Sequence, residues 1–244
     1  MKKIIIFSFL MIGVYAFGAD TIPTVNLSLS APDTPEQLVT SLNLLIVLTI
    51  LALAPSMIFV MTSFLRLIII FSFLRQALGT QQMPPNQVLV TLALILTFFI
   101  MEPVAKESYE KAVKPYLAKE ISYQVAFEKG SEPFKAFMVR NTREKDLALF
   151  FRIRNLENPS KVEDIPLLVA IPAFMISELK TAFEIGFLLY LPFLVIDMVV
   201  SSVLMSMGMM MLPPVMISLP FKLLIFVLVD GWNLLTANLV ASFH

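Results

Sequence analysis

The chain has 244 residues, of which 58% are hydrophobic and only 15% are charged, and its formal net charge is zero. It contains no cysteine, which excludes disulfides, thiolate metal sites and cysteine nucleophiles, and no basic block that would favour nucleic-acid binding. Its long uncharged runs lack the polar face that helices of soluble proteins keep. We therefore predict an all-α integral membrane protein rather than a large soluble helical core.

Residues 1–18 are typical of a secretory signal peptide. Two lysines precede an apolar stretch at 4–14 that is short for a membrane span, and small residues follow it. We predict cleavage after Gly18, because it places Ala16 three residues before the cut. Cleavage after Ala19 is the alternative, and an uncleaved anchor is a further one. Residues 19–40 are predicted to form an extended, proline-containing lead.

Residues 41–101 predict a first hydrophobic hairpin. The almost continuous apolar run at 41–74 indicates either one long kinked helix or two shorter helices. Gly79 is the predicted C-cap of this arm. The Pro-Pro pair at 84–85 is a helix stop, and the apolar residues 88–101 predict the returning helix.

Residues 102–164 predict a polar, helical insert. From 109 to 125, apolar side chains recur at helical spacing between lysines and glutamates. Ser131 and Pro133 predict a new helix start, with Ser131 as the cap. A further amphipathic helix is expected after 141–142.

Residues 165–244 predict a second hairpin on the same plan: a long helix interrupted by prolines, a turn with a Pro-Pro pair, and a last apolar helix at 219–239. A signal peptide would deliver the chain beyond it to the outside. Each hairpin then enters the membrane from the outside and returns to it, which leaves the insert and the C-terminus on the periplasmic side. The basic residues of the loops give little independent support for this orientation.

Ionisable residues inside the apolar segments are candidates for buried or subunit contacts. A lone charge that faces lipid costs several kcal/mol, so such a side chain faces a partner or water. A proton or ion relay is one interpretation, but the scattered positions and the lack of histidine favour structural ion pairs. Asp197 and Lys222 are expected to bridge the two arms of the second hairpin. The full set is Arg66, Arg75, Glu178, Lys180, Glu184, Asp197, Lys222 and Asp230.

A methionine-rich turn forms the tip of the second hairpin. Flexible thioethers conform to varied shapes, so a ring of such tips would be able to seal a pore and part around a moving chain. The residue pattern alone favours ordinary core or lipid-facing filler. The candidate gate residues are Met209, Met210 and Met211, and the residues that shape their loop are Gly208, Pro213 and Pro214.

Catalytic motifs are missing from the sequence. It contains no G-x-S-x-G, no P-loop pattern and no H-E-x-x-H. We therefore predict no enzyme activity and no catalytic, cofactor-binding or metal-binding residues.

Long strings of residues carry a specific family resemblance. They lie at 62–69, 73–88, 172–183, 208–214, 219–223 and 229–232. From about residue 40 to the C-terminus, the chain resembles the FliP family of type III export gate subunits, whose injectisome counterparts are close relatives. The insert matches more loosely, through Tyr116 and 142–147.

The resemblance implies a pore-forming subunit in the bacterial inner membrane, within the flagellar basal body. It implies a ring of about five copies assembled with FliQ and FliR, next to FlhA and FlhB, with FliO as an assembly factor. Unfolded flagellar proteins would pass through, and the methionine turn would seal the closed pore. No cofactor is implied. An injectisome gate subunit, a secondary transporter with broken helices and a passive scaffold are the alternatives.

Overall fold

The computed structural model describes residues 35–80, 82–157, 159, 161–209 and 212–243, and this part of the chain is helical without strands. The predicted signal peptide with Gly18 and Ala19, most of the predicted lead, and Met210 and Met211 lie outside the described residues. The chain forms two compact units, residues 1–50 and residues 51–244. Helix α1, Pro35–Val60, begins inside the first unit. The predicted extended lead is therefore wrong for residues 35–40, where proline suits the first turn of a helix.

The first apolar run forms two helices. After α1 the chain turns at residues 61–63, and α2 covers Phe64–Leu78. The break lies neither at Pro55, which is inside α1, nor at Arg66, which is inside α2. Gly79 ends α2 as predicted, with φ +77° and its N–H bonded to the carbonyl of Gln76 at 3.0 Å. Glycine adopts this left-handed conformation without the steric penalty of a Cβ.

The helix that follows the Pro-Pro pair is longer than predicted. Helix α3, Asn86–Ser108, continues through a π turn at Tyr109–Val113 into a short α4, Lys114–Leu117. Together these 32 residues form one of two helices in the described chain that are long and apolar enough to cross a membrane. The predicted helical run to residue 125 is wrong, because the chain leaves the helix after Leu117.

The insert contains α5, Tyr123–Arg140, α6, Glu144–Ile153, and a 3-10 turn at Val162–Asp164. The predicted helix start at Ser131 is wrong, since α5 is continuous and buries Pro133 in its interior. Its N-cap is Ser122, which accepts the N–H of Val125 at 3.5 Å. Close packing on the π turn offsets the proline, because Gly130 lies against Ala112 and its carbonyl accepts a bond from Ser108. The helix after residue 141 is present as α6.

The C-terminal region contains a 40-residue helix and a broken pair. Helix α7, Leu167–Ser206, holds two internal prolines and is the second helix able to cross a membrane. Helices α8, Pro214–Leu228, and α9, Gly231–Ala241, meet at an angle of 63°. The single last helix predicted at 219–239 is thus wrong. Asp230 breaks it with φ +51°.

The core of the second unit lies between α2 and α7. Helix α2 buries Leu67, Ile70 and Phe71, and α7 buries several small residues, among them Ala173 and Ala182. A Cβ on Gly186 would lie 2.5 Å from the ring of Phe73, so the two helices approach too closely for any larger residue. Residues from both predicted hairpins therefore share one core. Only 11% of the most apolar window of α7 is buried within the chain, which leaves a large apolar surface to be covered from outside.

Candidate functional site

A buried ion pair joins the first turn of α2 to the N-terminal half of α7. Arg66 donates from Nε to Oε2 of Glu178 at 2.8 Å and from Nη2 to the other carboxylate oxygen. The two side chains are 4% and 0% exposed. A bidentate guanidinium–carboxylate pair of this kind is strong and directional. Each charge depends on the other, because an unpaired buried charge is costly.

Arg66 also holds the segment that follows α9. Its Nη1 donates to the hydroxyl of Ser242 at 2.9 Å and to the carbonyl of that residue at 3.3 Å. Its guanidinium carbon lies 3.8 Å from the centre of the Phe243 ring. Arg140 of α5 donates to the carbonyl of Phe243 at 3.4 Å. Three distant parts of the chain are therefore fixed at one point.

The predicted pairing of Asp197 with Lys222 is present and connects α7 to α8. The ammonium group of Lys222 lies 2.6 Å from Oδ2 of Asp197, and Ser218 donates to the other oxygen at 2.5 Å. Lys222 also donates to the carbonyl of Ala77 at 3.0 Å. It thus caps the C-terminal end of α2, where carbonyls lack helical partners and a positive charge is favoured.

A third polar cluster, which the sequence did not reveal, fixes α6 on α7. Ser177 accepts the backbone N–H of Arg143 at 3.0 Å and donates to Asp146 at 2.5 Å. The side chain of Arg143 also bonds to Asp146. Burial opposes ionisation of this carboxyl, but the bonds from Ser177 and Arg143 outweigh it and hold the pKa of Asp146 below its ordinary value. No local pattern links two residues 31 positions apart.

Two lysines lie together beside this cluster. Contact with Lys180 and the charges of Lys180 and Arg143 lower the pKa of the exposed Lys145. Lys180 forms an exposed pair with Glu184 at 3.1 Å, one helical turn along α7. Of the predicted charges, Lys180 and Glu184 therefore lie at the surface of the chain.

The methionine turn lies between α7 and α8. Gly208 has φ +74°, and a Cβ there would meet no atom within 4 Å. Met209 is 37% exposed. The exposed Leu212 and Pro213 lead into α8, which begins at Pro214.

Comparison with known proteins places the chain in a family. The sequence pattern of the FliP family matches residues 47–239. The chain belongs to the FliP family. It is 56% identical over 209 residues to the flagellar biosynthetic protein FliP of Bacillus subtilis (strain 168), covering 86% of this chain and 95% of that protein. It is 52% identical over 209 residues to the flagellar biosynthetic protein FliP of Aquifex aeolicus (strain VF5), covering 85% and 87%.

The family match includes the Arg66–Glu178 and Asp197–Lys222 ion pairs and the methionine turn, while Ser242 and Phe243 lie just beyond it. Within the described residues, no group of three or more His, Cys, Asp or Glu side chains is placed to hold a metal ion. Three polar connections between helices are present in this FliP family member: Arg66 with Glu178, Asp197 with Lys222, and Asp146 with Ser177.

Proposed function

We propose that this FliP family protein is a pore-forming core subunit of the flagellar type III export gate in the bacterial inner membrane. It passes unfolded flagellar proteins to the periplasmic side, where its insert and C-terminus lie. Energy comes from other components, since the sequence contains no nucleotide-binding motif. Its partners are further copies of itself, FliQ, FliR, FlhB, FlhA and, during assembly, FliO.

The observation that carries this proposal is the match over residues 47–239 to a family whose quoted members are named for flagellar biosynthesis. Those names favour the flagellar apparatus over an injectisome. The exposed apolar surface of α7 and α8 supports membrane insertion and assembly with other subunits. Phe187, Leu188, Val227 and Leu228 are each more than 60% exposed within the chain, which is costly unless lipid or protein covers them.

The methionine turn is proposed as the seal of the closed pore. It is short, begins at a left-handed glycine and ends at a Pro-Pro pair, and the prolines fix φ at that end. The thioether side chains from Met209 onward provide an apolar and deformable filling. Rings of such tips would exclude ions at rest and yield to a passing polypeptide.

The transporter alternative is less favoured. It needs membrane charges free to bind and release a cargo ion. Glu178 and Asp197 instead share their oxygens with arginine, lysine and serine donors in the folded chain. These pairs are better explained as connections between helices.

To test this function, the gene for the FliP family protein of a flagellated bacterium is deleted and the gene for this chain is supplied in its place. The wild-type chain is expected to restore export of flagellar proteins and motility. Deleting residues 209–211 should let ions leak through the assembled gate, whereas replacing the same residues with three leucines should retain the seal. Loss of export without any leak in the deletion strain would contradict the sealing role. An unchanged export rate in the absence of the protein would contradict the proposed function itself.

A further inference from the structure

Helix α8, which directly follows the methionine turn, buries only one narrow stripe of its surface within the chain. Its buried residues are Ser218, Lys222 and Phe226, and their spacing of four residues puts them on one face of the helix. Apolar side chains occupy the other faces, where Met216 is 70% and Leu224 is 57% exposed. An ordinary amphipathic helix buries apolar side chains. Helix α8 reverses this pattern at two of its three buried positions.

The polar part of this stripe bonds to two other helices. Ser218 and Lys222 each donate to one carboxylate oxygen of Asp197 in α7, at 2.5 Å and 2.6 Å. Lys222 also donates to the carbonyl of Ala77, in the last turn of α2, at 3.0 Å. Because Lys222 is only 2% exposed, these oxygens take the place of water around its ammonium group. One side chain of α8 is therefore held by α7 and α2 together.

The end of α2 also lies close to the beginning of α8. A Cβ on Gly79, the C-cap of α2, would lie 3.6 Å from Cγ1 of Val215 and 3.9 Å from Nζ of Lys222. Val215 is the second residue of α8 and directly follows the Pro-Pro pair that closes the methionine turn. Arg75 donates to the carbonyl of Pro84 at 3.5 Å, so the end of α2 is itself bonded to the turn that follows it. The exit of the methionine turn therefore rests beside the end of α2.

Directional bonds fix a register that apolar packing leaves open. Apolar side chains of similar volume repack with little loss of stability, whereas a buried ammonium group needs its acceptors at fixed places. Single buried polar residues set the register of coiled coils in this way. A slide of α8 by one helical turn would move Lys222 about 5.4 Å along the axis, away from the two acceptors that it now joins.

We propose that Lys222 is the positioning residue of the methionine turn. Its ammonium group bonds to Asp197 and to the carbonyl of Ala77, and the second bond fixes the axial register of α8 on the end of α2. That register sets where the turn before α8 lies. The inference rests on the proposed function, in which the turn seals the closed pore. Stability alone would not require these charges, because apolar residues of similar volume replace many buried ion pairs without loss.

The first test measures the register of α8 on α2. The chain has no cysteine, so Gln76→Cys and Leu228→Cys, at two exposed positions of α2 and α8, give the full chain one pair of spin labels. Labelled copies are diluted with unlabelled copies of the same variant and assembled with the other gate subunits. Double electron–electron resonance then gives the distance between the two labels of one chain. We expect one narrow distribution when Lys222 and Asp197 are both native.

Two double variants separate the bond to α2 from the ion pair. Lys222→Met with Asp197→Leu removes both charges. Lys222→Asp with Asp197→Lys keeps an opposite pair between α7 and α8, but places a carboxylate against the carbonyl of Ala77. We expect both variants to broaden the distance distribution or to shift it by up to about 5 Å, one helical turn. A pair that acts only between α7 and α8 predicts no change in the exchanged variant.

A matched control removes two charges that do not join helices. Lys180→Met with Glu184→Leu deletes an ion pair within α7 and should leave the distance distribution unchanged. Unchanged distributions in both Lys222 double variants would overturn the proposal. A change in the apolar double variant alone would also overturn it, because the ion pair and not the bond to Ala77 would then fix the register.

The second test measures the seal in gates that have assembled. Both Lys222 double variants should leak ions about as strongly as the deletion of residues 209–211, because a displaced turn closes the pore no better than a missing one. The Lys180 control should stay tight. A shifted distance without a leak would show that Lys222 does not position the seal, which would overturn the proposal. If the deletion itself does not leak, the sealing role in the proposed function fails, and the distance measurement still decides whether Lys222 fixes the register of α8.

Discussion

Removing one partner of the buried ion pair should destabilise the protein far more than removing both. In Arg66→Met, the carboxylate of Glu178 stays fully buried and loses its only cation. An isolated buried charge of this kind costs about 3–5 kcal/mol. In the double variant with Glu178→Met, two flexible apolar side chains fill similar space. Such replacements range from neutral to about 1–4 kcal/mol stabilising.

The remaining contacts of Arg66 do not affect this comparison. Its two bonds to Ser242 contribute about 0.5–1.5 kcal/mol each, and its position over the Phe243 ring about 0.5–2 kcal/mol. Both variants lose them equally. The difference between the single and the double variant therefore reports the unpaired carboxylate together with the packing of methionine at position 178.

Thermal unfolding in detergent measures the effect. The only tryptophan, Trp232, lies at the edge of the core, with its ring 5.6 Å from that of Phe226 and 6.5 Å from that of Phe71, so its fluorescence reports whether this packing is intact. A loss of 3–5 kcal/mol corresponds to a Tm lower by roughly 6–20 °C for a chain of this size. The double variant should recover most of this decrease. Equal Tm values for the single and double variants would refute the reasoning.

Three further predictions concern the other contacts. Asp197→Asn should cost about 3–5 kcal/mol and more than Lys222→Met, because the ammonium left behind is 3% exposed whereas the carboxylate is 27% exposed; chemical denaturation ranks the two. Gly186→Ala should cost about 1–3 kcal/mol through its clash with Phe73, and the penalty should shrink in a Phe73→Leu background. The lowered pKa of Asp146 stabilises the folded chain above about pH 4, near the unfolded pKa, and this stability is lost as the pH falls through the folded pKa. Asp146→Asn should remove this part of the acid destabilisation. Unfolding at each pH is measured by tryptophan fluorescence.

Each of these has a clear contradicting result. Equal costs at Asp197 and Lys222 would mean that burial does not decide which charge suffers. An unchanged penalty for Gly186→Ala in the smaller background would mean that the ring is not the obstacle. A wild-type protein and an Asp146→Asn variant whose stability curves stay parallel as the pH is lowered from about 5, roughly one unit above the unfolded pKa, would show that the carboxyl does not couple to folding.

Local patterns located helix ends where the physical cause was itself local. Gly79 was predicted as a C-cap because glycine suits φ +77°, and the structure has it there. The prediction failed at Ser131, where a serine before a proline resembles a helix start. Packing of Gly130 on Ala112 keeps α5 continuous instead. The prediction of a single last helix failed at Asp230, because an apolar run does not show where the backbone bends.

The sequence by itself determined that the chain is helical, apolar and rich in charges that need partners, because composition and spacing reflect the solvent each segment meets. Long matching strings also determined its family. The tertiary structure decided which charges pair, since the partners of Arg66 and Asp146 are separated by 112 and 31 positions. It also showed that α2 packs chiefly on α7. The close approach of Phe73 to Gly186 is part of this packing, and it is visible only in three dimensions. Pairing across such distances depends on how helices approach, and no local pattern records that.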